Sequence, residues 1–272
     1  MKEKPMRVLS IGAHPDDADT SAGGLLSKLQ RKGWEVRLLS VTDGSAGTWD
    51  VEQGGQPLAQ RRRQEAAASG ERFGGQYDVL DYPDGRLTVT VEAREELIRY
   101  IRRYDPDLII TNRLNDYHAD HRNTAQLVQD AAYLLTVPCI CPDTPCMRHM
   151  PVVLFWHDSF QKPYPLQPDV LVPVDEEGLE AVWRSAACHV SQYFDWLCWP
   201  DHMEKTRWPR AQQEQDLAER FRRMYTRHRQ NYDAVLRERF GDAAESIRYV
   251  EAYEISEYGE ELTPELRELL EH

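Results

Sequence analysis

The sequence predicts an α/β protein with a mostly parallel sheet covered by helices on both faces. Two observations carry this. Apolar runs of strand length alternate with stretches of helical periodicity from residue 7 to residue 174, the signature of βαβ units. Hydrophobic residues make up 41% and charged residues 29% of 272, a globular balance that suits one large domain or a domain with an extension.

Taken in order, residues 7–13 (RVLSIGA) form a short apolar strand that stops at His14-Pro15-Asp16-Asp17. Residues 20–32 carry apolar positions at helical spacing up to Gly33. Residues 35–42 (EVRLLSVT) read as a second buried strand, and the Gly-rich stretch 43–55 as a loop. A helix over 58–72 precedes a third strand at 77–82, closed by the Pro83-Asp84-Gly85 turn. Residues 91–104 are helical, 107–112 (DLIITN) a fourth strand, and 121–135 helical again. Further strands are expected at 151–156 and 169–174.

Beyond about residue 176 the pattern changes to helix at 177–187 and a long polar helical stretch at 210–240. This divides the chain into a core domain, 1–192, and a helical, acidic-ended C-terminal extension, 193–272, packed on it. Trp183, Trp196, Trp199 and Trp208 lie in this region and are expected to be core, with a sugar platform or an oligomer contact as the sharper reading. Residues 241–272 hold ten Asp/Glu against two Lys/Arg, whereas 220–239 is arginine-rich. A solvated tail and helix face is the default, and pairing of the two segments the alternative.

The formal net charge of −13 argues against nucleic acid as a partner. No apolar run approaches the roughly 20 residues of a membrane span, and the first residues lack a signal-peptide core, so a cytoplasmic location is expected. Five cysteines outside an export context make disulfides improbable. Cys139, Cys141, Cys146 and His149 cluster in a Pro-rich connector, but their spacing matches no common zinc module, and apolar filler is the expectation.

Ligands of open parallel α/β sheets bind outside the carboxyl ends of the strands. The first strand ends in a histidine and two carboxylates instead of G-x-G-x-x-G, which argues for a metal site over a dinucleotide. A second cluster, Asp116-Tyr117-His118-Ala119-Asp120-His121, follows the fourth strand, commonly a neighbour of the first. Imidazole and carboxylate together suit zinc, with iron(II) as a competitor, and three protein ligands leave one position open. His14 and Asp17, at i and i+3, turn toward a common point, while Asp16 lies beside the metal, where a general base belongs. Of His118 and His121, one ligates and the other stabilises the oxyanion or donates a proton; Asp120 is placed to fix the tautomer of a neighbouring imidazole.

These motifs, with Asp43-Gly44, Gly47, Arg62-x-x-Glu65 and His189-Val190-Ser191-Gln192 in support, resemble the PIG-L/LmbE-like zinc deacetylases over residues 7–192. The resemblance implies a Rossmann-like fold and hydrolysis of an N-acetyl group, on an N-acetylglucosamine-containing small molecule or glycoconjugate, by zinc-bound water. It implies His14, Asp17 and His121 as metal ligands and Asp16 as base. It also implies His118 facing the tetrahedral intermediate, Asp120 supporting it, and Arg62 and Asp84 binding substrate. Homo-oligomers are implied as well. Asp116 stands where some relatives have Tyr, Arg184 replaces a frequent Lys, and nothing from Tyr193 onward matches. The competing readings are an amidase for another small amide, such as a thiol conjugate or antibiotic intermediate, and a non-catalytic metal- or sugar-binding protein.

Overall fold

A computed structural model describes residues 5–197 and 204–272. The strands are β1 (Arg7–Gly12), β2 (Glu35–Thr42), β3 (Gln76–Tyr82), β4 (Leu108–Thr111), β5 (Val152–Trp156), β6 (Val170–Val174) and β7 (Tyr249–Ile255). They form one sheet in the order β3-β2-β1-β4-β5-β7-β6. β1 to β5 are mutually parallel, while β7 is antiparallel to both β5 and β6. β1 and β4 are direct neighbours, with Val8 opposite Leu108 and Ile11 opposite Thr111, so the two His/Asp clusters leave the sheet side by side.

The helices are α1 (Asp17–Thr20), α2 (Gly23–Arg31), α3 (Gln56–Gly70), α4 (Val91–Tyr104), α5 (Ala119–Ala132), α6 (Glu176–Ala186), α7 (Arg210–Asn231), α8 (Asp233–Phe240) and α9 (Pro264–Glu271). One face of the sheet packs on Leu25, Leu26 and Leu29 of α2 and Ala66 of α3, and the other on Leu97, Ile98 and Ile101 of α4 and Leu127 and Val128 of α5. This gives the three-layer arrangement the alternating pattern predicts. Caps set the helix starts by satisfying free N–H groups: Thr90 accepts from Ala93 N, His118 from Asp120 N and Asp175 from Gly178 N.

The C-terminal extension differs from the all-helical segment expected. Residues 249–255 form a strand inserted between β5 and β6, so cutting the chain at 193 removes an inner strand. The reason is Glu251, buried in the middle of β7. Its carboxylate accepts from Gly24 N and Leu25 N, both at 2.8 Å, from Tyr225 Oη at 2.5 Å and from Tyr253 Oη at 2.7 Å. Four donors, two of them at the start of α2, replace the water this glutamate loses. A Cβ on Gly24 would sit 2.8 Å from that carboxylate, and the helix expected over 20–32 is split, with α1 ending at Thr20 and α2 starting at Gly23. Glu251→Ala strands these donors in the core, and we expect it to cost about 2–4 kcal/mol in urea unfolding. A loss under about 1 kcal/mol counts against the latch.

The acidic C-terminus does meet the arginine-rich helices, through Arg239–Glu271 at 2.7 Å and Arg237–Glu245 at 3.7 Å. The helix expected over 210–240 breaks at Tyr232. Trp183 packs beside the Val182–Phe221 cluster and Trp196 stacks on Trp49 with centroids 4.5 Å apart; Trp199 lies outside the described residues. The Cys-rich connector is organised by buried Arg102, which donates to the carbonyls of Leu134, Leu135, Val137, Ile140 and Thr144. Cys139 and His149 are exposed, and no metal-competent group among the described residues includes a cysteine. No helix among the described residues is long and apolar enough to cross a membrane.

Candidate metal centre and active site

The turn after β1 is built around one carboxylate. Asp17 Oδ2 accepts from Ala13 N (3.0 Å) and His14 N (2.9 Å), folding the chain back so that His14 and Asp17 face the same point. A Cβ on Gly12 would lie 2.5 Å from Asp17 Cβ, so glycine is required there by close approach. From the neighbouring strand end, α5 brings in His121. His14 Nδ1 lies 3.1 Å from His121 Nε2, His121 Nε2 lies 3.4 Å from Asp17 Oδ2, and His14 Nδ1 lies 3.5 Å from the same oxygen.

That triangle tests whether a metal fits. With bonds of about 2.0–2.1 Å and tetrahedral angles, ligand atoms of zinc stand about 3.3–3.4 Å apart. The three atoms match this spacing, with two nitrogens and one oxygen. The remaining ring nitrogens agree. His14 Nε2 faces Asp84 Oδ1 at 3.1 Å and Asp120 Oδ2 at 3.5 Å, and His121 Nδ1 faces Asp116 Oδ1 at 3.0 Å. A carboxylate behind each imidazole favours the N–H on the far nitrogen and leaves the lone pair on the near one, the usual support of a ligating histidine.

Two other groupings come within reach of one ion, His14 with His118 and His121, and His14 with Asp84, His118 and Asp120. We favour the set with Asp17. His118 Nδ1 already accepts Asp120 N–H at 3.1 Å as the cap of α5, and Asp17 Oδ2 is within 3.5 Å of both other ligands. His118, half-buried, has its ring edge-on to His14 at 4.6 Å.

Charge reinforces the picture. Burial opposes ionisation of Asp17, but His121 and His14 outweigh it and hold the carboxyl well below its usual range. Burial also pulls His14 down, yet Asp120, Asp17 and Asp84 lift it well above. Asp16 behaves oppositely to its neighbour: burial first, then the Asp17 charge, raise it to about 6 against the pull of His189 and Arg62. Asp16 Oδ1 is buried without a hydrogen-bond partner among the described residues. Two adjacent carboxyls pushed apart in this way suit different work.

The other expected residues are brought in, in part with different contacts. Asp120 accepts Gly85 N (2.7 Å) and Leu87 N (3.2 Å) and lies 3.5 Å from His14 Nε2, while its backbone N–H donates to His118 Nδ1 at 3.1 Å. Asp84 divides its carboxylate between His14 and Ala46 N. Arg62 is buried and donates to Gly47 O at 3.0 Å and to Gln192 Oε1. A Cβ on Gly47 would meet its guanidinium at 2.6 Å, so the loop glycine and the arginine are one unit. Glu65 receives Ser191 N and Ser191 Oγ, which explains the pairing of Arg62-x-x-Glu65 with His189-x-Ser191-Gln192. Sequence reasoning missed two features. One is Asp116 as the partner of His121, signalled only by its place two residues before His118. The other is the buried Ser69–Asp19–His189 chain (2.5 and 2.8 Å) behind the Asp16 turn, for which nothing local gives a signal.

Residues 9–132 match the family profile described as PIG-L, GlcNAc-PI de-N-acetylase. A diacetylchitobiose deacetylase of Thermococcus kodakarensis is 36% identical over 136 residues, 48% of this chain and 51% of that protein, so the chain spans about half the length of the curated relative it matches. The structure of the N,N'-diacetylchitobiose deacetylase from Pyrococcus horikoshii aligns with a TM-score of 0.70 and 23% identity over 94% of this chain and 85% of that one. A 4-carboxy-2-hydroxymuconate hydratase from Pseudomonas putida aligns with 0.73 and 19% over 95% and 100%. At these identities the two structures establish the shared fold.

Proposed function

We propose that this chain, whose residues 9–132 match the PIG-L family profile, is a metal-dependent hydrolase that removes the N-acetyl group from an N-acetylglucosamine-containing small molecule. The observation that carries this reading is the triangle of His14 Nδ1, Asp17 Oδ2 and His121 Nε2, with Asp16 adjacent. The relatives named above supply the substrate class: the Thermococcus protein is a diacetylchitobiose deacetylase.

His14, Asp17 and His121 would hold the ion, zinc being the best match to two imidazoles and one carboxylate, with iron(II) as its competitor. When bound, such an ion supplies a Lewis acid and lowers the pKa of a water near it. Asp16 takes a proton from the attacking water and is poised to pass it to the departing amine. His118 faces the acyl carbonyl and donates to the oxygen as charge builds there. Asp84 and Asp120 hold His14, and Asp116 holds His121, so the ligand set stands in place before substrate enters. Arg62 ties Gly47 of the loop after β2 to Gln192.

The fold is shared with a hydratase, so the decisive measurement is acetate itself. Acetate should be released from N-acetylglucosamine or diacetylchitobiose with zinc present, and release should stop with a strong chelator. No acetate from a panel of N-acetylated sugars, with metal loaded, overturns the reading.

A further inference from the structure

α1 is a single turn of four residues. So short a helix cannot hold its own shape, because closing its first hydrogen bond fixes more backbone freedom than the bond returns. Contacts with the rest of the protein impose its geometry, and Asp16 stands at its start. Asp16 adds little of its own: its side chain makes no capping hydrogen bond, and Oδ1 has no partner among the described residues. From β1, Ser10 Oγ donates to Ala18 O at 2.7 Å. A second anchor is Asp19, one turn beyond Asp16 and fully buried. Its Oδ2 accepts from Ser69 Oγ at 2.5 Å and lies 2.8 Å from His189 Nε2, 170 residues along the chain. An ionised carboxylate only accepts, so Nε2–H donates.

One face of α3 organises these contacts. Arg62, Glu65 and Ser69 stand at i, i+3 and i+7, so they share a side of the helix. Arg62 donates to Gln192 Oε1, Glu65 accepts Ser191 N and Oγ, and Ser69 reaches Asp19. Residues 189–192 are thereby fixed to the same helix face that reaches α1, and His189 is the member of that segment that grips α1. Its imidazole is fully buried, out of reach of substrate and solvent. Burial pulls it down, but Asp19, then Asp16 and Glu65, lift it above its ordinary value. A buried pair such as Asp19 and His189 contributes little net stability, since apolar residues of the same volume would pack as well. What the pair supplies is a fixed direction for α1.

We propose that His189 is a positioning residue: through Asp19 it fixes α1, and with it the direction in which Asp16 presents its carboxylate to the attacking water. The proposal rests on the deacetylase reading. A misplacement of about 1 Å in a reacting group costs roughly 10²-fold, so His189→Ala should lower kcat on diacetylchitobiose by about 10–100-fold. In the zinc-loaded full chain, KM and metal content should stay within about twofold of the wild type. His189→Gln, whose amide N–H can still reach Asp19, should recover most of the loss. Action through Asp16 is read from the double variant. Once Asp16→Asn has removed the base, adding His189→Ala should cost less than about twofold more. The same loss in both backgrounds means general loosening of the fold and overturns the proposal. So does a His189→Ala kcat within about twofold of the wild type, or a His189→Gln no better than His189→Ala. If His189→Ala does not fold, His189→Asn, polar but too short to reach Asp19, takes its place in the cycle. If the wild type releases acetate from no N-acetylated sugar, the deacetylase reading fails separately. Crystal structures of the variants then decide the positioning role. A shift of about 1 Å in α1 and the Asp16 carboxylate, reversed in His189→Gln, supports it, and an unmoved turn overturns it.

Discussion

Asp16→Asn is expected to lower turnover by about 10²–10⁴ while leaving the metal content unchanged, the range typical of a positioned general base. The amide copies the carboxylate's shape but cannot take a proton. Asp16 is buried, with Oδ1 unpartnered among the described residues, and its carboxyl is raised to about 6 by burial and the Asp17 charge. A base must be deprotonated to act, so wild-type activity should rise with pH through that range. The variant should lose this acidic limb. Metal analysis alongside steady-state rates checks both halves. If Asp16→Asn strips the metal while Asp17→Asn keeps it, the two roles are interchanged.

His121→Ala should remove both metal and activity. It takes away one of the three proposed ligand atoms, which lie 3.1–3.5 Å apart. Asp17→Asn should also weaken retention, but Asp17 holds Ala13 N and His14 N as well, so its effect mixes binding with the geometry of the turn. Asp116→Ala offers a graded comparison. It keeps the three proposed ligand side chains and removes the carboxylate 3.0 Å behind His121, which also accepts His118 N at 2.8 Å, so metal affinity should fall by about 10–100-fold. Competition with a chromophoric chelator reads all three. His121→Ala protein that keeps one tightly held ion per chain would falsify the ligand assignment.

Much of the candidate metal centre was legible because its signals are local. His14 and Asp17 lie in one turn, and His118 and His121 in another, each directly after a strand that announces itself by apolar composition. Arg62 with Glu65 and His189 with Gln192 were visible as motifs, but their meeting was not. The contact between Arg62 and Gln192 spans 130 residues.

By itself the sequence determined the alternation of β1–β5 with their helices, since periodicity and turn residues act within one element, and it determined the residue types at the two strand ends. Only the tertiary structure decided which groups meet. It set Asp120 within reach of His14, and Asp116 behind His121. It also turned the acidic segment YVEAYEI into an inner strand. A glutamate in that segment reads as solvated until four donors surround it, and one of them, Tyr225, is 26 residues away while those on α2 are 226 and 227 away. Burial of such a charge is favourable only once the whole chain has placed those donors, and no short window of sequence contains them.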